Sequence, residues 1–188
     1  YHMEHLEIEF KMLLEEKIFK KILLDYQNQI KDSYEQTNYY LFHPLLAKNR
    51  YTLRIREKKG RFELTLKRPA KIGTNELNID IDKDIKETIF NHQEVENEIF
   101  DILKEKGIYI KDLVCGYYLK TIRHDIILPE GVLSLDENDY NQHHDYEIEF
   151  EVNDYHQGIL AFQTLLQPYH LKYERNCASK TRRMLSTL

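Results

Sequence analysis

Apolar and polar residues alternate strictly over residues 5–13. Leu6, Ile8, Phe10 and Met12 take one phase, and Glu7, Glu9 and Lys11 take the other. A period of two predicts a strand with one apolar and one charged face. The period changes over 15–26, where Ile18, Phe19, Ile22, Leu23 and Tyr26 form the stripe of an amphipathic helix. Residues 32–42 are Tyr-rich and read as extended; 44–49 read as a turn. Alternation returns over 51–58 and 61–67 around Lys59-Gly60, which predicts a hairpin. A further alternating strand covers 75–82. A helix is expected over 84–106, broken near Asn91 and stopped at Gly107. A long extended run, 113–128, leads through a Pro129-Glu130-Gly131 turn into a second hairpin. Its strands are 132–138 and 145–152, and its loop is the polar stretch 139–144. Asn153 or Asp154 then caps a helix carrying Ile159, Leu160, Phe162, Leu165 and Leu166. Residues 178–188 read as a last helix beginning at Ser179-Lys180.

About eight strands, mostly antiparallel, with three or four amphipathic helices make this an α+β chain. No glycine-rich strand-to-helix turn appears, which argues against a dinucleotide fold or a P-loop. A length of 188 residues suits one domain. It is expected over 4–188, with Tyr1-His2-Met3 set aside as having the look of an expression scar. With 41% hydrophobic residues the chain can build a core, and 6 Gly and 4 Pro exclude a low-complexity chain. No apolar run approaches the roughly 18 residues of a membrane span, so no membrane partner is expected. No secretion signal is visible, and Cys115 and Cys177 lack metal-type spacing. Both point to reduced thiols and a cytoplasmic location. A net charge of −5 disfavours broad nucleic-acid binding. Monomer and homodimer both stay open.

The informative feature is where each sign of charge falls. Glu7 and Glu9 share a strand face, as do Glu147 and Glu149, and as do Arg54 and Arg56. Side chains at i and i+2 on a strand stand about 7 Å apart. Like charges at that distance repel appreciably in an enclosed space unless a counter-ion lies among them. The helices, meanwhile, need an apolar surface to cover. If the apolar strand faces turn outward to the helices, the charged faces turn inward. The expected architecture is therefore a closed antiparallel barrel, a tunnel of eight strands with a polar, charged lumen and the helices outside. A carboxylate cluster beside a basic cluster fits a metal-bound polyphosphate.

Glu7-Ile-Glu9-Phe-Lys11 resembles the ExExK motif of the CYTH, or triphosphate tunnel metalloenzyme, superfamily. The resemblance continues through Leu53-Arg54-Ile-Arg56, Glu63-Leu-Thr-Leu-Lys67, Arg123, Asp136, Tyr146-Glu147-Ile-Glu149 and Lys180, essentially the whole chain. It is similar to the bacterial CYTH proteins of Gram-positive type. The resemblance implies hydrolysis of a triphosphate, with inorganic tripolyphosphate as the leading substrate. It implies Mg²⁺ or Mn²⁺ held by Glu7, Glu9, Asp136, Glu147 and Glu149. It implies substrate contacts from Lys11, Arg54, Arg56, Lys67, Arg123 and Lys180, with Glu7, Glu9 and Lys11 as catalytic residues. One position departs from the pattern. Thr121-Ile-Arg123 stands where family members often carry Lys-x-Arg, and Lys120 is out of phase.

Three other readings stay open: thiamine triphosphate hydrolysis, a class IV-type adenylate cyclase, and a noncatalytic polyphosphate- or nucleotide-binding module. No adenine-reading motif is evident. Tyr34, Tyr39 and Tyr40 are read as packing residues rather than stacking platforms. His143 and His144 are read as loop residues. Glu63, Glu76 and Glu151 are read as counter-ions to the basic set.

Overall fold

The structure, a computed structural model, describes residues 2–188; Tyr1, the first residue of the candidate scar, lies outside them. The chain forms two compact units. The first takes the residues up to Leu6 together with Gln36–Tyr118, and the second takes Glu7–Glu35 with Leu119–Leu188.

The strands are β1 (His2–Glu7), β2 (Glu9–Leu14), β3 (Ile30–Phe42), β4 (Thr52–Lys58), β5 (Arg61–Pro69), β6 (Thr74–Ile81), β7 (Val114–Leu128), β8 (Gly131–Tyr140) and β9 (His143–Val152). The helices are α1 (Glu16–Asp25), α2 (Pro44–Asn49), α3 (Lys83–Phe90), α4 (Glu98–Glu105), α5 (Tyr155–Leu166) and α6 (Lys180–Leu185). The α+β class and the antiparallel strand pairing are as expected. No helix among the described residues is long and apolar enough to cross a membrane.

In the first unit the strand order is β1-β6-β5-β4-β3, with the start of β7 next to the end of β3. The β4–β5 hairpin turns on Lys59 and Gly60, both with positive φ, 52° and 75°. That geometry suits the right-handed strand twist, and glycine supplies it without steric cost. Leu53, Ile55, Leu64, Leu66 and Leu77 bury one strand face against Leu46 of α2, Ile89 of α3, and Ile99, Phe100 and Leu103 of α4. Asp82 caps α3 by accepting from the Ile85 N–H, and Asn97 caps α4 by accepting from that of Phe100. Each such cap is worth about 1 kcal/mol.

In the second unit the start of β3 neighbours the end of β7, followed by β8, β9 and β2. Phe10, Leu133, Leu135, Ile148 and Phe150 pack against Phe19 and Ile22 of α1 and Phe162 and Leu166 of α5. Gly131 opens β8 at φ 159°, and a Cβ there would meet the Glu151 carbonyl oxygen at 2.0 Å. Only glycine lets the β8–β9 pair close at that end.

Three expectations are corrected. The alternating run near the N-terminus is two strands, β1 and β2, separated at Ile8, which brings the strand count among the described residues to nine. Residues 44–49 form the short helix α2 rather than a turn. His43 Nδ1 accepts from the Leu45 N–H, Pro44 presets the first turn, and Arg50 in the left-handed region ends it. The second hairpin has no long polar loop: β8 and β9 run on to a two-residue turn at Asn141 and Gln142, with φ 47° and 65°. His143 and His144 are strand residues. The polar composition there belongs to exposed strand positions, and Asn tolerates the left-handed turn.

Candidate functional site: a buried carboxylate triad and its cations

Antiparallel register stacks the polar residues of the second unit into rows. Arg123 of β7 lies opposite Asp136 of β8, which lies opposite Glu147 of β9. One row on, Asp125 lies opposite Ser134, Ser134 opposite Glu149, and Glu149 opposite Lys11 of β2. Period-two alternation puts these side chains on the face opposite Leu135, Ile148 and Phe150. The apolar phase fills the core while the charged phase is gathered behind it.

The result is a triad. One carboxylate oxygen each from Asp136, Glu147 and Glu149 lies within 4.8 Å of the other two. Asp136 and Glu147 are fully buried and Glu149 nearly so. Three cations bind it. Lys180 Nζ donates to Asp136 Oδ2, Glu147 Oε1 and Glu149 Oε1, all at 2.8 Å. Arg123 grips Asp136 with two parallel bonds of 2.7 Å and reaches Glu149 Oε2 at 2.9 Å. Arg183 Nη2 donates to Glu147 Oε1 at 2.7 Å, while its Nε donates to Asp145 at 3.0 Å. Lys180 and Arg183 come from one face of α6, three residues apart, and Ser179 caps that helix through the Arg182 N–H.

Burial and charge set the protonation of the triad. Burial pushes Glu147 up to about 7, and Lys180 only partly offsets it. Burial also opposes the charge on Glu149, but Lys180, Arg123 and Lys11 outweigh it and hold that carboxyl well below the ordinary range. Asp136 is lowered because Arg123 and Lys180 overcome its burial. The Lys180 ammonium is raised, its burial overcome by Asp136, Glu147 and Glu149. Glu147 Oε2 is buried with no hydrogen-bond partner among the described residues. An orphaned carboxyl oxygen within a cluster of three carboxyl groups suits a hard divalent cation, so these residues fit one.

Glu9 pairs with Lys11 at 2.8 Å on β2, and Glu7 is buried at the end of β1. Neither carboxylate is part of the triad. Burial works against the Lys11 charge, but Glu9, then Glu149 and Glu147, hold it raised. Thr121, at the position that departs from the family pattern, is buried and donates to Asn138 Oδ1 at 2.6 Å. Asn138 in turn donates to Asp145 and Glu147. A neutral Thr–Asn pair thus occupies that row.

The other predicted cations belong to the first unit. Arg54 is buried, with its Nε lacking a hydrogen-bond partner among the described residues. Arg56 Nε donates to Asn38 Oδ1 at 2.8 Å, and Lys67 lies 3.4 Å from Glu76. A cleft of about 560 Å³ is lined by Arg56, Lys58, Lys59, Arg61, Phe62, Glu63 and Asp80. Glu76 is buried beside Lys67. Glu63 lies opposite Arg56, and Glu151 lies opposite Glu9 and is exposed. Tyr39 stands edge-on to Phe90 beneath Lys86, and Tyr34 donates to Asp125. Arg183 is not among the expected site residues. Helical spacing was the available signal, since residues three apart share a face.

The CYTH domain family profile matches residues 5–184. A Bacillus subtilis protein named as a candidate triphosphatase, YjbK, is 33% identical over 170 residues, covering 89% of this chain and 88% of that protein. A crystal structure of a Bacillus halodurans protein described as a candidate adenylate cyclase is 31% identical, with a TM-score of 0.87. The match covers 96% of this chain and 97% of that one. A Hippeastrum protein, 24% identical, shares the fold with a TM-score of 0.81 over 96% of both chains.

Proposed function

The chain belongs to the CYTH domain family, and from that premise we propose that it hydrolyses a triphosphate, inorganic tripolyphosphate first among them, with Mg²⁺ or Mn²⁺. The observation that carries this reading is the buried triad Asp136–Glu147–Glu149 with its orphaned oxygen. Four or more carboxylates of one sign are an expensive feature for a pure anion binder, and they suit a metal-dependent enzyme. The names of the Bacillus relatives support triphosphate chemistry.

In this reading Asp136, Glu147 and Glu149, with Glu7 and Glu9, are the residues that hold the divalent ion. When bound, such an ion supplies Lewis-acid polarisation of phosphoryl oxygens and a more acidic water. The chain's own cations do the rest. Lys11, Arg54, Arg56, Lys67, Arg123 and Lys180 bind phosphate oxygens and neutralise charge moving to the leaving group. Guanidinium forks such as that of Arg123 match two oxygens at once, so they orient the chain of phosphates as well as attract it. Glu7, Glu9 and Lys11 act next to the reacting phosphoryl group. A closed tunnel, a single domain over 4–188 and a cytoplasmic location belong to the same proposal.

A phosphate-release screen tests it, over tripolyphosphate, ATP and thiamine triphosphate, with Mg²⁺, with Mn²⁺ and with chelator. The expected outcome is release from tripolyphosphate that chelator abolishes. Activity indifferent to chelator, or none with any of the three, refutes the reading. Pyrophosphate and a cyclic nucleotide from ATP would move the assignment to a cyclase.

A further inference from the structure

The triad is already neutralised from within. Three carboxylates, Asp136, Glu147 and Glu149, face three cations, Lys180, Arg123 and Arg183. Of the three, Lys180 stands out by geometry. Its ammonium is 2.8 Å from one oxygen of each triad member, so it sits at the point where the three carboxylates converge. Arg123 and Arg183 instead grip from the sides, each with a second anchor: Arg123 doubly on Asp136, and Arg183 on Asp145 and the Ala178 carbonyl. A point-like ammonium on a flexible stem can leave without dismantling the site; a two-toothed guanidinium cannot.

We propose that Lys180 is a displaceable internal counter-ion. It holds the three carboxylates together and must give them up when a divalent cation is taken. The freed ammonium then has a phosphate chain as its next partner, so metal and polyanion enter together. Arg183 is a positioning residue that stays, keeping Glu147 aimed while Lys180 departs. This inference rests on the metal-binding reading of the triad. It adds that the protein's affinity for metal alone is set low by competition from its own side chain. Positive coupling between metal and anion follows. By linkage each ligand tightens the other by the same factor, of the usual order of about 5–150-fold.

The test is Mn²⁺ binding without any anion, followed by the electron paramagnetic resonance signal of free Mn²⁺, on four proteins. Lys180→Gln keeps a polar side chain, one bond shorter, and removes its charge, so it should bind Mn²⁺ at least about tenfold tighter than wild type. Lys180→Arg should stay near the wild-type affinity. Glu149→Gln should lose binding. If Glu149→Gln binds as wild type does, the metal reading itself fails. If Glu149→Gln loses binding but Lys180→Gln is no tighter than wild type, only the counter-ion exchange fails. A second measurement covers a Lys180→Gln protein that does not fold. Wild type crystallised with Mn²⁺ and an imido-bridged, hydrolysis-resistant tripolyphosphate should show Lys180 Nζ away from all three carboxylates and Arg183 still on Glu147. Lys180 Nζ retained on the triad there overturns the proposal.

Discussion

In the first unit Thr65 donates to Asn78 at 2.6 Å and Asn78 passes the bond on to Glu76. In the second, Thr121 donates to Asn138 at 2.6 Å and Asn138 passes the bond on to Asp145 and Glu147. The two threads begin alike and end differently. Glu76 meets Lys67 at 3.4 Å, whereas Glu147 meets Lys180 at 2.8 Å and Arg183 at 2.7 Å inside a cluster of three carboxylates. Cross-strand register alone is enough to build a Thr–Asn row on a polar face. What turns such a row into a charged site is an element from outside the sheet, here α6, which lays two cations on it. In the first unit Arg56 Nε donates to a neutral amide oxygen, Asn38 Oδ1, a weaker acceptor than a carboxylate.

The largest consequence lies in the second unit. Asp136 is fully buried and receives Arg123 twice and Lys180 once. Asp136→Asn keeps the volume but leaves buried cations undercompensated, which costs about 3–5 kcal/mol. Urea denaturation without metal measures it. A loss below about 1 kcal/mol would mean that the network contributes little to stability. Glu147 is pushed up, and Glu149 is held down by its cations.

Next in size is a matched pair. Thr65→Val and Thr121→Val each remove one neutral hydrogen bond from a buried row and leave an amide oxygen wanting a donor. Each should cost about 1–2 kcal/mol. Equal losses would confirm that the rows are equivalent up to the point where α6 joins. A Thr121→Val loss several times that of Thr65→Val would show instead that Asn138 is a working member of the charged network, and the comparison would shift.

Much of this was legible in the chain itself. Period-two alternation placed Leu53, Ile55, Leu64, Ile148 and Phe150 on core faces and put Arg54, Glu147 and Glu149 opposite them, because one strand face must be apolar wherever helices cover it. The turn at Lys59-Gly60 and the cap at Asp154 were equally visible, since local chemistry fixes both. Three features were not. Helix α2 depends on a His43 cap and a left-handed Arg50, which are not residues that usually signal either end. The 139–144 stretch looked like a loop because its residues are polar, yet polar residues also suit an exposed strand end closing on a tight turn. Helical spacing puts Arg183 on the face of Lys180, but its partner Glu147 lies on β9, and spacing within α6 does not name that tertiary contact.

The smallest expected effect lies on the exposed end of the β8–β9 hairpin, where the same pairing of cation and carboxylate occurs in water. His144 Nδ1 contacts Asp139, and its Nε2 lies 3.2 Å from Glu137; His144 and Asp139 are exposed and Glu137 is half-buried. The hydrogen bond to Asp139 raises the imidazole above 6.5, burial opposes it slightly, and the charges of Asp139 and Glu137 add to the rise. A histidine raised on folding stabilises the fold fully below its unfolded value. That contribution fades as pH climbs through the folded value. The stability gain therefore belongs to the acid side of neutrality and should be small, because water and salt screen it. Proton NMR of the His144 ring gives the midpoint directly. It should lie above 6.5 in wild type and return toward 6.5 in Asp139→Asn. A wild-type midpoint at or below 6.5, or one untouched by Asp139→Asn, would remove this pair from the comparison. Carboxylate–cation contacts would then matter in this protein only where burial concentrates them, around Asp136, Glu147 and Glu149.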